Sequence, residues 1–524
     1  MDKWPGYRSE LSNENYDAII IGSGISGLTT AVFLAKAGLS VLVLEKHFKL
    51  GGFTHTFKRN QYEWDTGIHY IGEAQNPKSI VKKLFDYISE SNLKWTPMDS
   101  NYDRIIYPDK SYDFIAPKEQ FIETMCSYFP SESEGIKNYI NEIRHAVKSG
   151  RSFFANKAYP PFIQKINYPF ASRNFFKYAN LTTKNAIAKF TSNPKLLSVL
   201  AGQWGDHGLP PGQSSFYMHS IVANHYLNGG NYPTGGSINI AKTVCTHLEK
   251  LNCKFAVNAG VDEILVENGK TKGVRLENGD VIKSKIVVSS AGVVNTFSSL
   301  LRNQSNKFQK LLSKVKPTAS YVCLYLGFNK SAKDLNFKST NFWIYPDYDH
   351  DENVAKYSNN SENEFPVLYV SFPSAKDSEW EINHPNCSTV EVLTLGHWQW
   401  YNKWKKEPWK KRGKEYEAEK EKLSQRMLKQ LFKHIPQAKE HLDYYELSTP
   451  LTVRDLAKYR FGEMYGIDHT PDRFKQKWLQ PRTDIKNLYL TGQDILTVGL
   501  SSALFSGLIT SSAILKKNLL KEIL

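Results

Sequence analysis

The alternation of apolar and polar positions in this chain is most regular between residues 17 and 52. An unbroken apolar run, a helical pattern and a second apolar run follow one another there. Residues 19–21 are three consecutive isoleucines, as in a strand that a parallel sheet buries on both faces. Ala31, Leu34 and Ala35 recur at the spacing of one helix face. The pattern therefore predicts a strand, a helix and a second parallel strand.

Three glycines with the spacing Gly-x-Gly-x-x-Gly occupy the turn between the first strand and the helix. Gly22 permits a tight turn, Gly24 lets a pyrophosphate approach the positive end of the helix, and Gly27 allows close helix-to-strand packing. Glu45 ends the second strand 18 residues after Gly27, about where an acid hydrogen-bonds a ribose hydroxyl. These features together predict an adenine-dinucleotide site rather than a purely structural βαβ unit.

A Gly-Gly turn at Gly51 and Gly52 closes the second strand at once. This arrangement resembles flavin enzymes of the glutathione-reductase-like superfamily, in which that turn lies along the flavin. The resemblance favours FAD over NAD as the bound dinucleotide. An acid at Glu45 also disfavours a 2′-phosphate at the ribose.

Two later stretches fit further parts of the same site. Residues 261–292 alternate as a hairpin that turns twice at Asn-Gly pairs and ends on another strand. In the resembling flavoproteins Val261 would lie by the adenine. Gly492 and Asp494 end a short strand near the C-terminus, and the resemblance places them near the ribitol and pyrophosphate. The alternative for Asp494 is a cap on the next helix.

The length of 524 residues is too great for one core, so two or three domains are expected. Because the cofactor stretches lie at the start, middle and end, the cofactor domain must be discontinuous. The predicted fold class is α/β, a glutathione-reductase-like FAD-binding Rossmann domain with an inserted α+β substrate domain. The predicted segments of the FAD-binding domain are residues 1–100, 231–300 and 451–524, and those of the substrate domain are 101–230 and 301–450.

Several stretches outside these motifs also carry a structural prediction. Residues 495–515 contain no charge and are long enough to cross a bilayer, but their Ser, Thr, Gly and Ala content favours a buried helix. Residues 347–364 indicate an exposed polar loop, and residues 402–436 a highly charged helical stretch. The five cysteines are odd in number and form no Cys-x-x-Cys pair, which argues against a disulfide scaffold, a zinc site or a dithiol relay.

The net charge of +15 fits a nucleic-acid partner, an anionic membrane surface or ordinary solvated lysines. No stretch resembles a nucleic-acid-binding module, so no nucleic acid is expected. Residues 147–190 interleave Phe and Tyr with Lys and Arg, as in a segment at a bilayer interface, the alternative being an ordinary cap on the substrate domain. A second candidate is Lys403–Arg412, with Trp404 and Trp409 as interfacial anchors, where solvated helix surface is the favoured alternative.

Six short motifs together with the opening βαβ unit resemble the flavoprotein family of the phytoene desaturases and carotenoid isomerases, and within it the all-trans-retinol 13,14-reductases. The resemblance covers nearly the whole chain and is weakest at residues 90–200 and 330–440. One departure is the N-terminus, which lacks a secretory signal, so a cytoplasmic, peripherally membrane-associated protein is expected. The motifs are DTGIHYIG at 65–72, LPPGQSSFYMH at 209–219, HYLNGGNYPTGGS at 225–237, STPLTVRD at 448–455, YGIDH at 465–469 and LYLTGQD at 488–494.

The resemblance implies a flavin-dependent oxidoreductase acting on a C=C bond of a retinoid or carotenoid-like isoprenoid. Saturation is favoured, with polyene desaturation and cis–trans isomerisation as alternatives. Saturation adds a hydride to one carbon and a proton to the other, so a proton donor would be useful. The candidate donors are His69 and Tyr70, then Asp206 and His207, then His219, and a structural role is the alternative for each.

No second Gly-x-Gly-x-x-Gly follows a strand, so a separate nicotinamide domain is not expected. Electrons would then come from NAD(P)H bound transiently or from an electron-transfer partner such as a flavodoxin or ferredoxin, and a quinone could act as acceptor. An apolar polyene substrate dissolves in the bilayer, which is a second argument for contact with a membrane surface. Two hypotheses from other functional classes are an amine-oxidase-like flavoenzyme and a non-catalytic flavin- or lipid-binding protein.

Overall fold

The helices and strands were assigned from a computed structural model of the chain, which describes residues 4–524 except the side chains of 305–307. The strands are β1 (Tyr16–Ile21), β2 (Val41–Leu44), β3 (Thr56–Arg59), β4 (Tyr62–Asp65), β5 (Ile71–Gly72), β6 (Trp95–Pro97), β7 (Asn101–Ile106), β8 (Ser111–Ile115), β9 (Gly230–Pro233), β10 (Lys254–Ala256), β11 (Val261–Glu267), β12 (Lys270–Leu276), β13 (Val281–Ser289), β14 (Tyr321–Phe328), β15 (Asn341–Ile344), β16 (Leu368–Ser371), β17 (Ser388–Leu395), β18 (Leu442–Ser448) and β19 (Leu488–Leu490). The α-helices are α1 (Ile25–Lys36), α2 (Ile80–Ser89), α3 (Lys118–Tyr128), α4 (Ser133–Asn156), α5 (Pro161–Ala179), α6 (Thr183–Ile187), α7 (Pro194–Leu200), α8 (Phe216–Tyr226), α9 (Ile238–Lys250), α10 (Val293–Asn295), α11 (Ser305–Leu312), α12 (His350–Asn359), α13 (Pro373–Lys376), α14 (Trp380–Asn383), α15 (Trp398–Tyr401), α16 (Gly413–Leu431), α17 (Pro450–Ala457), α18 (Pro471–Phe474), α19 (Leu500–Leu515) and α20 (Leu520–Ile523).

A seven-stranded sheet has the order β10-β2-β1-β13-β12-β11, with β19 also paired to β13. Strands β10, β2, β1, β13 and β19 are parallel, and β11, β12 and β13 form the antiparallel hairpins that the Asn-Gly pairs predict. Ala18 and Ile20 face one apolar cluster, whereas Ile19 and Ile21 face the other. The isoleucine run is therefore buried on both faces, which confirms the Rossmann-type α/β prediction.

Helix α19 lies in the interior against α1. A Cβ atom added to Gly507 would lie 2.6 Å from the Thr29 Cβ atom, so the two helices approach closely because Gly507 has no side chain. Ser506, Ser511 and Ser512 are buried on the same helix. The buried-helix prediction for residues 495–515 is confirmed, with the helix beginning at Leu500. Between residues 4 and 524 no helix is long and apolar enough to span a bilayer.

A second seven-stranded sheet has the order β18-β14-β17-β16-β15-β7-β8. Its strands come from residues 101–115 and 321–448. Along β14, Tyr321 and Tyr325 face a cluster rich in aromatic side chains, while Leu324 and Leu326 face a mainly aliphatic cluster beneath α16. The sheet therefore presents one aromatic, partly polar face and one mainly aliphatic face. The proposed domain boundaries remain predictions.

Two local predictions are wrong, the exposed loop at 347–364 and the anchor role of Trp404. The predicted exposed loop at 347–364 contains α12, in which His350 and Tyr357 are buried at helical spacing. His350 shares a hydrogen bond with Ser198 Oγ at 2.9 Å, which stabilises its polar ring in the buried position. The charged helical stretch at 402–436 is helical mainly over 413–431. Trp404 is buried against Tyr416 and cannot be an interfacial anchor, whereas Trp409 is exposed.

Candidate cofactor site and buried polar network

A cavity of about 1210 Å³ opens at the carboxyl ends of β1 and β2. Small-molecule sites usually measure about 300–1,000 Å³, so this one has room for an elongated ligand. Eight of the residues predicted to bind the cofactor line it. They are Gly22, Gly24, Glu45, Gly51, Gly52, Val261, Gly492 and Asp494.

The glycines shape one wall of this cavity. A Cβ atom on Gly24 would meet only Ser290 Oγ, at 3.8 Å, so the backbone there faces open space. A Cβ atom on Gly52 would lie 3.1 Å from the Gly24 Cα atom, which shows how closely the two turns approach. Gly27 does not line the cavity, because its Cβ would lie 2.3 Å from the Gly22 carbonyl oxygen. Gly27 therefore permits helix packing, and Gly24 leaves room for a ligand.

The carboxylate of Glu45 is held in place at the cavity wall. Its Oε2 atom accepts hydrogen bonds from the Ser23 backbone N–H, at 2.8 Å, and from Ser23 Oγ, at 2.6 Å. Its Oε1 atom accepts from the His47 N–H at 2.8 Å. Val261 lines the same cavity. An anchored carboxylate of this kind can accept hydrogen bonds from ribose hydroxyls.

Asp494 ties three separate parts of the chain together. Its Oδ2 atom accepts a hydrogen bond from the Val293 N–H at 2.8 Å, and its Oδ1 atom accepts one from the Ile467 N–H at 3.1 Å. Helix α19 begins only at Leu500, with Gly499 as its N-cap. The alternative of Asp494 as the cap of that helix is therefore wrong.

One part of the cavity wall is rich in aromatic side chains. The Phe53 and Tyr459 rings are stacked with their centroids 5.6 Å apart. Flat apolar walls of this kind suit a planar ring system. The residues that line this part are Phe53, Gly67, Ile68, Tyr325, Tyr459, Met464 and Tyr465.

His69 and Tyr70 follow two of these lining residues in the sequence but do not themselves line the cavity. The Nδ1 atom of His69 lies 2.9 Å from the Oε2 atom of Glu391. The Tyr70 hydroxyl donates a hydrogen bond to Asp103 Oδ2 at 2.9 Å and lies 3.2 Å from Asp206 Oδ2. The His69 side chain is 17% exposed, whereas the Glu391 side chain is fully buried. Of the two side chains, only that of His69 is therefore partly exposed.

His207 and His219 lie away from the cavity and belong to the aromatic core. His219 Nε2 lies 2.7 Å from the Tyr139 hydroxyl. Neither ring nitrogen of His207 has a hydrogen-bond partner within the described residues. Burial lowers the pKa of His207 to about 3, so the ring is neutral at physiological pH.

Lys376, Glu391 and Asp103 extend this region into a buried polar network that the sequence motifs do not reveal. The Lys376 Nζ atom donates to the His69 carbonyl at 2.9 Å and also to Asn341 Oδ1 and Ser371 Oγ. Glu391 Oε1 accepts from the Asp65 N–H at 3.0 Å. A sequence signal exists for Glu391 alone, since it interrupts the apolar strand STVEVLTL.

Burial in the network raises the pKa values of its carboxyl groups, and that of Glu391 lies above neutral pH. Burial raises the pKa of Asp65 to about 7, with Glu391 adding to the effect, and raises that of Asp103 to about 6. Burial raises the pKa of Glu391 to about 8 and lowers that of Lys376 to about 7. Burial, with Lys376 adding to the effect, lowers the pKa of His69 to about 3. At pH 7 the Glu391 carboxyl can therefore hold a proton beside a neutral imidazole.

Residues 20–88 match the family model of the NAD(P)-binding Rossmann-like domain. The chain is 32% identical to an all-trans-retinol 13,14-reductase of Danio rerio over 98% of this chain and 88% of the relative. It is 30% identical to an inactive all-trans-retinol 13,14-reductase of the same organism, over 98% and 87%. A chloroplastic prolycopene isomerase of an Oncidium hybrid cultivar is 26% identical over 84% and 73%.

Among solved structures, a putrescine oxidase variant superposes with a TM-score of 0.65 at 14% identity, covering 96% of this chain and 99% of that one. An oxidoreductase of Methanosarcina mazei superposes with a TM-score of 0.62 at 13% identity, covering 95% and 100%. At such low identity these two likenesses establish the fold.

Proposed function

Because this chain belongs to the family of the all-trans-retinol 13,14-reductases, we propose that it is an FAD-dependent oxidoreductase that saturates a C=C bond of a retinoid or carotenoid-like isoprenoid. The observation that supports this most directly is one cavity that joins the glycine turn and Glu45 to an aromatic wall. A dinucleotide with an adenosine end and a planar ring end matches these two regions.

The residues present fit FAD. The open backbone at Gly24, at the N-terminus of α1, would receive the pyrophosphate, and the anchored Glu45 carboxylate would accept from the adenosine ribose. Val261 would lie by the adenine. Gly51 and Gly52 would lie along the flavin. Gly492 and Asp494 would then face the ribitol and pyrophosphate.

When bound and reduced, FAD supplies a hydride. The chain must then deliver a proton to the second carbon of the double bond. His69 is the partly exposed end of the buried network, and Glu391 holds a proton 2.9 Å from its Nδ1 atom. We assign His69 and Glu391 as the pair that holds this proton, while Lys376 positions His69 through its carbonyl oxygen.

The first alternative is polyene desaturation or cis–trans isomerisation, which the similarity to a prolycopene isomerase supports. The same cavity and cofactor would serve all three reactions. Saturation is favoured by the higher identity and longer coverage of the retinol reductases.

The partners follow from the proposed chemistry. An apolar polyene is concentrated in bilayers, so an enzyme acting on it gains by associating peripherally with a membrane surface. The electrons would come from transiently bound NAD(P)H or from an electron-transfer protein.

An anaerobic experiment tests the proposed function. The flavin of the purified protein is reduced, all-trans-retinol or a longer polyene is added in detergent, and flavin reoxidation is followed with the polyene spectrum. Reoxidation with a blue-shifted product is expected. An inert reduced flavin together with a red-shifted product from the oxidised enzyme would instead identify a desaturase. Since one similar protein is named inactive, turnover must be measured and not inferred.

A further inference from the structure

Helix α5 exposes a concentrated apolar surface. Of nine large apolar side chains that are exposed in the described part of the chain, five lie between residues 159 and 170. Phe162 is 75% exposed and Phe170 82%. Exposed apolar groups so close together commonly mark an interaction site. The five are Tyr159, Phe162, Ile163, Ile166 and Phe170.

Four of these side chains share one face of the helix, and Tyr159 precedes it. Phe162, Ile166 and Phe170 are four residues apart, and Ile163 adjoins them. The interior contacts of α5 come from other positions. The Phe175 ring stacks on Phe153 with the centroids 3.9 Å apart. The helix is therefore apolar on the buried side and on part of the exposed side, so packing within the chain does not explain the second surface.

The start of α5 is fixed to the cofactor-binding part of the chain. The Lys157 Nζ atom donates to the carbonyl oxygens of Leu479 and Ile495 at 2.7 and 2.6 Å. The Arg482 guanidinium donates to the Ala158 and Tyr159 carbonyl oxygens at 3.1 and 2.8 Å. The exposed rings are thus carried on an anchored element.

The charges within the chain segment that carries this face have one sign. Residues 147–190 contain eight Lys and Arg residues and no Asp or Glu. Lys165 and Arg173 are exposed on α5, and neither forms an ion pair with another described residue. Apolar rings among cations are typical of a segment that rests on an anionic bilayer. Two copies of this face would bring like charges together, which disfavours a second copy of the chain as the occupant.

We propose that the exposed face of α5 is the surface by which this protein docks on an anionic membrane. Phe162, Ile166 and Phe170 enter the headgroup boundary, and Lys165 and Arg173 contact lipid phosphates and carboxylates. The purpose of the docking, access to a bilayer-dissolved substrate, rests on the proposed function, whereas the docking itself does not.

The apolar part is tested by co-sedimentation of the flavin-loaded protein with vesicles of phosphatidylcholine and phosphatidylserine. Each inserted ring contributes about tenfold or more to partitioning, so Phe162→Ser with Phe170→Ser is expected to weaken binding roughly 100-fold. The matched control replaces Ile382 and Leu524, which are 81% and 71% exposed, by Ser and should bind as the unchanged protein does. Equal binding by both double variants would overturn the proposal.

The electrostatic part is tested by Lys165→Glu with Arg173→Glu. Each cation near an anionic surface is worth about fivefold in binding, so reversal of two should weaken binding by roughly 25-fold or more. Lys414→Glu with Lys429→Glu on α16 makes the same charge change elsewhere and should have little effect. Binding of the unchanged protein should fall with added salt. Equal affinity for neutral and anionic vesicles would overturn this part.

Failure of docking and failure of the proposed function are distinguishable. The α5 variants alter exposed side chains, so flavin content, thermal unfolding and turnover of a detergent-dissolved retinoid should not change. Vesicle binding through α5 without turnover would refute the proposed function alone. If Phe162→Ser with Phe170→Ser changed the oligomeric state and not vesicle binding, the face would serve contact between copies and the docking proposal would be wrong.

Discussion

The replacement Gly24→Val tests the cofactor site most directly. Gly24 has φ −59° and ψ 164°, a conformation that ordinary residues adopt, and its Cβ would meet only Ser290 Oγ, at 3.8 Å. The variant should therefore fold. Its side chain would project into the space where the pyrophosphate is expected.

The magnitude follows from the hydrogen bonds that the side chain would displace. A phosphate held away from the start of α1 loses contact with backbone N–H groups, and each charge-assisted hydrogen bond is worth about 1.5–3 kcal/mol. Loss of two such bonds amounts to about 3–6 kcal/mol, or roughly a 100- to 20,000-fold weaker affinity for FAD. The purified variant should be colourless.

The assay is the ratio of flavin to protein absorbance after dialysis, followed by titration of the apoprotein with FAD. Gly6→Val is the control, because Gly6 is exposed and its Cβ would meet nothing within 4 Å. Gly27→Val is the contrasting variant. Its Cβ would lie 2.3 Å from the Gly22 carbonyl oxygen, so it should lose thermal stability. Full flavin content in a folded Gly24→Val variant would refute the placement of the site.

Three further replacements test the buried groups. Burial holds the pKa of Glu391 at about 8, above its ordinary 4.5, so the stability that the Glu391 carboxyl contributes is lost as the pH rises. In urea unfolding between pH 5 and 8, the unchanged protein should lose stability relative to Glu391→Gln. Parallel curves for the two proteins would contradict this. The pKa of Lys376 is lowered to about 7 from 10.5, so the sign reverses: from pH 7 to 10 the unchanged protein should gain stability relative to Lys376→Met in the same assay. Asp494→Ala leaves the Val293 and Ile467 N–H groups without an acceptor and should lower the unfolding free energy by about 2–6 kcal/mol. The effect of Asp494→Asn should be intermediate. An unchanged melting temperature would show that those hydrogen bonds contribute little to stability.

The local periodicity of the sequence was sufficient to predict β1, β2, the β11–β13 hairpins and the buried helix α19. Consecutive isoleucines in β1, Asn-Gly turns in the β11–β13 hairpins and small residues in α19 each restrict the backbone or its packing within a few residues. The same reasoning failed at α12, where polar residues are buried. His350 is buried there and shares a hydrogen bond with Ser198, which lies 152 residues away in the sequence.

The sequence by itself predicted the glycine turn, the acid Glu45 and therefore a dinucleotide site, because each prediction depends on spacing within one βαβ unit. Only the tertiary structure decided which polar groups meet behind the aromatic wall and which apolar face stays uncovered. His69 and Glu391 are brought together from distant parts of the chain, and Asp494 accepts from Val293, which lies 201 residues away. Helix α5 is apolar on two faces, and the packing of α4 and α8 decides which of them is buried. These features depend on contacts between distant segments of the chain, so a local sequence pattern does not predict them.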